Sequence, residues 1–168
     1  LGIVKVLRLE RYGVDLHPLF ALVKSTRLNS FLLRVGGWRP GFWRALGNMG
    51  GVSFLGQVVF LTWMLVQNLF KFVYVPEKAS PMMPLIPGVT IHFSNLPWFL
   101  AAAGVVILMH ELAHGVQCVV AGVRVKSAAL LLAVITFGGA VEPDEDDMKA
   151  APLLSSLRIF AFGSFVNL

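Results

Sequence analysis

Two long apolar runs constrain this chain more than any other feature. The first, Val52 to Phe70 (VSFLGQVVFLTWMLVQNLF), carries no charge. Its length of about 19 residues gives roughly 28 Å as a helix, enough to cross a hydrocarbon core of about 30 Å. The second runs from Pro97 to Val123 and is interrupted by His110, Glu111 and His114. Composition agrees with a membrane protein: 57% of residues are hydrophobic and 14% charged, against roughly 45–50% and about 25% in soluble domains. Mean hydropathy is +0.75. Disorder is excluded on the same grounds.

The net charge of +5 is concentrated early, with Lys5, Arg8, Arg11, Lys24, Arg27, Arg34, Arg39 and Arg44 all ahead of the first run. Basic residues beside a membrane segment are cytoplasmic anchors for anionic headgroups. No aromatic–basic platform accompanies them, so nucleic acid is not an expected partner. Trp38 and Trp43 among arginines suit a membrane–water interface. Residues 1–51 therefore read as a basic juxtamembrane region with a shallow amphipathic helix. No cleavable signal peptide is expected, because the first residues are basic and interrupted. The chain opens on Leu1 and stops inside an apolar run, and it reads as a piece of a longer protein.

Residues 52–168 read as a partial membrane core with helices at about 52–74, 97–123 and 152–168. Between the first two, prolines at 76, 81, 84, 87 and 97 forbid a continuous helix and predict an extended loop, with GVTIHF as a short strand. Pro97 suits a first helical turn and Gly122 a helix end. Arg124 and Lys126 follow the second run, so the basic flanks of both spans fall on one side, the cytoplasmic one. SAALLLAVITFGGAV is short for a crossing and contains Gly138-Gly139, which predicts a re-entrant loop or a buried strand pair. The expected fold class is an all-α membrane protein, a transmembrane helix bundle with a short re-entrant strand or loop element.

His110-Glu111-Leu112-Ala113-His114 fits H-E-x-x-H. On a helix the two histidines lie one turn apart on one face, so both imidazoles reach one ion, with Glu111 beside them as general base. Zinc suits this set, since it accepts nitrogen and oxygen ligands, keeps a position open and lowers the pKa of bound water to about 7. Ionisable groups at a membrane helix centre cost roughly 2.5–3.5 kcal/mol each, which makes such a cluster functional by default. The bland alternative makes the histidines neutral core residues. The pair lies roughly 20–25 Å along the axis from Pro97, which puts it in the cytoplasmic half of the bilayer.

Other ligand candidates carry simpler readings. Cys118 continues the i, i+4, i+8 row but sits about 6 Å farther along the axis, and reads as a buried structural thiol. Position 120, histidine in a metzincin, is Val120, and position 117, glycine there, is Gln117. Glu142, Asp144, Glu145, Asp146 and Asp147 read as a solvated acidic run. His17 and His92 read as ordinary loop or strand histidines.

These residues resemble the site-2 protease family of intramembrane zinc metalloproteases: HELAH in an apolar helix, then GVRVKSAALLLAVITFGGAVEP, then FGSFVN. The resemblance covers roughly Val52 to Leu168, and the basic stretch before it is similar to the region preceding the first core helix in longer members. The family's Gly-x-x-x-Asn is matched by Gly163 to Asn167, with Ser164 where the family has proline. The resemblance implies a Zn2+ cofactor held by His110 and His114, Glu111 as catalytic base and Asn167 near the active site as a substrate-positioning residue. It implies a transmembrane protein substrate within the lipid bilayer and a multi-pass membrane location. It also implies a third ligand, an aspartate followed by glycine, that lies beyond Leu168, and in many members a PDZ-type insertion. Two other functions fit the motif less fully. One is a membrane metalloprotease using Glu142 as a downstream ligand; the other is a divalent-metal transporter, for which the first apolar run offers only amides. A catalytically dead scaffold is opposed by the intact Glu111.

Overall fold

The computed structural model describes residues 14–16, 20–80, 83, 85–133 and 137–168. His17 lies outside them. In chain order the elements are strands β1 (Val14–Leu16) and β2 (Phe20–Lys24), helices α1 (Thr26–Gly37), α2 (Pro40–Tyr74) and α3 (Leu96–Ala121), strands β3 (Val125–Ala133) and β4 (Phe137–Pro143), and helices α4 (Glu145–Ala150) and α5 (Leu153–Val166). A short 3-10 turn, Pro76–Lys78, follows α2.

Local sequence explains each boundary. The Ser25 hydroxyl caps α1 by accepting from the Leu28 N–H. Trp38 and Arg39 then turn the chain, with Arg39 at φ 50° and its guanidinium 5.2 Å from the Trp38 ring centre. Pro40 opens α2, where its missing N–H costs nothing. α2 is one continuous helix of 35 residues, about 52 Å long. It starts twelve positions before the expected Val52, and glycines in the added stretch are contact points. A Cβ on Gly47 would meet the Gln117 amide at 2.9 Å, and one on Gly50 would touch Phe162 at 3.4 Å. α3 carries Pro97 in its first turn and ends at Gly122, whose φ of 78° suits glycine.

The chain is mostly helical, as expected, but its strand element is larger than the short one expected. Strands β1–β2–β3–β4 form one antiparallel sheet in that order. β3 and β4 are the strand pair that the SAALLL…FGGAV stretch suggested. β2 comes from the basic N-terminal region and pairs with β3, Phe20 opposite Ala133 through Lys24 opposite Ala129. GVTIHF is not a strand: residues 88–90 turn, held by an isolated bridge between Pro87 and Ile91. His92 is exposed there.

The core sits where the sheet, α1, α5 and one end of each long helix meet. Leu32, Val116 and Ala128 form one buried cluster, and Cys118, Val123 and Ile159 form a second. Small residues let backbones approach: β4 lies against α3 with Gly104 under Phe137, Gly138 against Ile107 and Gly139 against Leu108 and Glu111. Two helices, Pro40–Tyr74 and Leu96–Ala121, have the length and apolarity to cross a membrane, each with a mean hydropathy of 1.7. Only 6% and 11% of their most apolar windows are buried, so neither is the wrapped core helix of a water-soluble domain. α5 is apolar but only 14 residues long.

Candidate metal centre

Helix α3 places His110 and His114 one turn apart, their rings edge to face with centroids 4.6 Å apart. Both are half-buried, as is Glu111. Helix α5 supplies their support through residues spaced by four, Ile159, Gly163 and Asn167. His114 Nδ1 lies 2.6 Å from the Ile159 carbonyl oxygen. That oxygen only accepts, so Nδ1 carries the proton and Nε2 keeps its lone pair for a metal. His110 Nδ1 lies 3.0 Å from the Asn167 amide. The atom that faces the ring is the amide nitrogen Nδ2, which donates, so His110 Nδ1 accepts.

Gly163 lies directly beneath both rings. A Cβ there would fall 2.5 Å from His114 Nε2 and 2.8 Å from His110 Cε1, so any side chain would displace the imidazoles. Opposite, β4 fixes the base. The Val141 N–H donates to Glu111 Oε2 at 3.2 Å, and Gly139 lies against the Glu111 Cβ. The carboxylate is thus aimed by a backbone hydrogen bond.

The other candidate ligands lie elsewhere. Cys118 is 1% exposed, packed with Val123 and Ile159. Glu142 is exposed and accepts from the Ser127 hydroxyl at 2.9 Å across the hairpin. Asp144 caps α4 by accepting from the Asp146 and Asp147 N–H groups, and Asp147 takes Arg124 in two hydrogen bonds of 2.7 and 3.0 Å. Arg124, through those bonds, holds the Asp147 carboxyl well below the usual carboxylate range, at about 2. Among the described residues no three His, Cys, Asp or Glu side chains converge on one ion. The donor set fits zinc as two nitrogen ligands with an adjacent carboxylate, one protein ligand short of a catalytic site.

Sequence reasoning named His110, Glu111, His114 and Asn167, and the structure brings all four together. It missed Ile159 and Val141, which act through backbone groups that no side-chain pattern reveals. The row Ile159–Gly163–Asn167, one residue per turn like His110–His114, was the available signal.

Residues 98–168 match peptidase family M50, the site-2 protease family. The M50 stretch holds nearly all of α3 with the whole of β3, β4, α4 and α5; β1, β2, α1 and α2 precede it. The matched stretch is thus similar to a family of membrane metalloproteases. No curated protein and no solved structure matches the chain.

Proposed function

We propose that the protein is a zinc-dependent endopeptidase that cleaves transmembrane segments of membrane-protein substrates. The observation that carries the reading is the H-E-x-x-H set on a helix whose most apolar window is 11% buried, held in shape by α5 and β4. The motif itself lies at the packed end of that helix, and the uncovered apolar stretch before it suits a bilayer. Basic residues precede α2 and follow α3, which supports a centre in the cytoplasmic half of the bilayer.

Bound zinc supplies Lewis acidity toward a peptide carbonyl and lowers the pKa of water. His110 and His114 would hold the ion, with the Ile159 carbonyl keeping His114 Nε2 free for it and Asn167 Nδ2 orienting the His110 ring. Glu111, with one oxygen anchored by Val141 N–H, removes the proton of the attacking water and delivers one to the departing amine. Asn167, beside His110 at the end of α5, also serves to position substrate. The third ligand comes from a segment other than those described. The Ser127 bond to Glu142 favours this over a ligand role for Glu142.

The test uses the full-length protein and a single-pass reporter with a fluorophore pair flanking its transmembrane helix. Glu111→Gln lowers cleavage on the order of 10²–10⁴-fold while bound zinc is unchanged. Cleavage at the wild-type rate in that variant removes the proposed role.

A further inference from the structure

Arg44, Gln117, Ser155 and Arg158 line a cavity of about 330 Å³ where α2, α3 and α5 meet. Helix periodicity brings them together. Arg44 lies one turn before Gly47, and the bare Cα of Gly47 makes room for the Gln117 amide. Gln117 is 1% exposed and donates to the Trp43 carbonyl at 2.9 Å. Ser155 and Arg158 share one face of α5 as an i, i+3 pair. Arg158 Nε donates to Asn48 Oδ1 at 2.7 Å, which fixes that guanidinium against α2.

The electrostatics of the recess are one-sided. The ion pairs of Arg124, Lys126 and Lys149 lie elsewhere, and none of these engages Arg44 or Arg158. Arginine cannot shed its proton, so two permanent cations share a recess whose other polar lining is a hydroxyl and an amide. α5 adds to the field: no side chain caps it and its first turn has no acid. Its positive dipole end therefore lies beside Ser155.

We propose that this recess binds a phosphate-bearing anion, with Arg44 and Arg158 as its charged partners and Ser155 as a hydroxyl donor. A guanidinium fork matches phosphate oxygens in pairs, which an ammonium does not. The recess lies at the α2 end that carries Trp38 and Arg39, so the phosphate comes from an anionic lipid headgroup or from solution. The bound anion bridges α2 to α5 one residue from Ile159, whose carbonyl orients His114. The site does not depend on the protease assignment.

The experiment measures the unfolding midpoint of the full-length protein in phosphatidylcholine nanodiscs. One arm adds inorganic phosphate against chloride at constant ionic strength; the other replaces part of the lipid with phosphatidylglycerol. A rise with phosphate identifies a soluble source, and a rise with phosphatidylglycerol alone identifies the headgroup. In either case Arg44→Gln raises the half-saturating concentration at least tenfold, whereas Arg34→Gln, exposed on α1 outside the cavity, leaves it unchanged. The proposal is overturned if neither addition shifts the midpoint, or if Arg34→Gln weakens the response as much as Arg44→Gln.

Discussion

The outer parts of α2 and α3 and the end where those helices meet α5 and the sheet are comparably apolar in sequence but oppositely packed. Along α2, Val52, Leu55, Val59, Leu65 and Val73 are all more than half exposed; along α3 the same holds for Trp98 and Val105. At the other end Leu32, Ala113, Val116, Cys118, Ile159 and Phe162 are at most 6% exposed. Hydropathy does not separate these regions, but small residues do. Gly47, Gly50, Gly104, Gly115, Gly138, Gly139 and Gly163 each sit where another backbone or side chain approaches closely. Apolarity without close approach marks surface meant for lipid or for further membrane helices. Apolarity with glycine at the contacts marks the packed body, as expected where lipid removes the hydrophobic drive between helices. The polar chemistry of the protein lies in that packed body.

The largest test of this contrast is truncation at matched chemistry. Leu32→Ala at the packed end should cost about 2–5 kcal/mol, whereas Leu65→Ala on the bare stretch of α2 should change stability by no more than about 0.5 kcal/mol. Denaturation of the full-length protein in one detergent measures both. An equal loss at Leu65 would mean that another segment covers this face.

Next in size is Gly163→Ala, which places a methyl against both imidazoles. Zinc affinity should fall about 10–100-fold, as for loss of a group that orients a ligand, with a smaller effect on unfolding. Competition with a chromophoric chelator reads the affinity. Wild-type affinity would show that the rings move aside freely.

The smallest effect lies on the surface of the packed end. The Asp147 carboxyl, held at about 2 by Arg124, lies below its unfolded value of about 3.9. Its contribution to stability is therefore fully present above about pH 4 and is lost as pH falls toward about 2. Arg124→Gln should flatten the midpoint–pH curve in that window and leave its shape at neutral pH unchanged.

The parts visible from sequence were those with a strong local period or a compact motif. The two spans, their Pro97 and Gly122 boundaries and the His110–Glu111–His114 set are of this kind. β1 and β2 were hidden because VDL and FALVK are short and β2 draws its definition from β3, over a hundred positions later. Inside a basic region such segments look like one face of an amphipathic helix. The early start of α2 was hidden because Gly-Gly breaks an isolated helix yet permits contact in a packed one. Asn167 was reached through resemblance, and the structure gives it a physical partner in His110. The Ile159 carbonyl was beyond reach, since every residue carries one and only packing selects which is used.

Metal content tests the central claim most directly: that His110 and His114, fixed by α5, chelate zinc. Elemental analysis of the full-length protein, purified in detergent without chelator, should find one zinc per chain. His114→Ala should lose it while the fold persists, and Glu111→Gln should keep it. A folded wild-type protein without bound zinc, or full zinc occupancy in His114→Ala, would contradict the account.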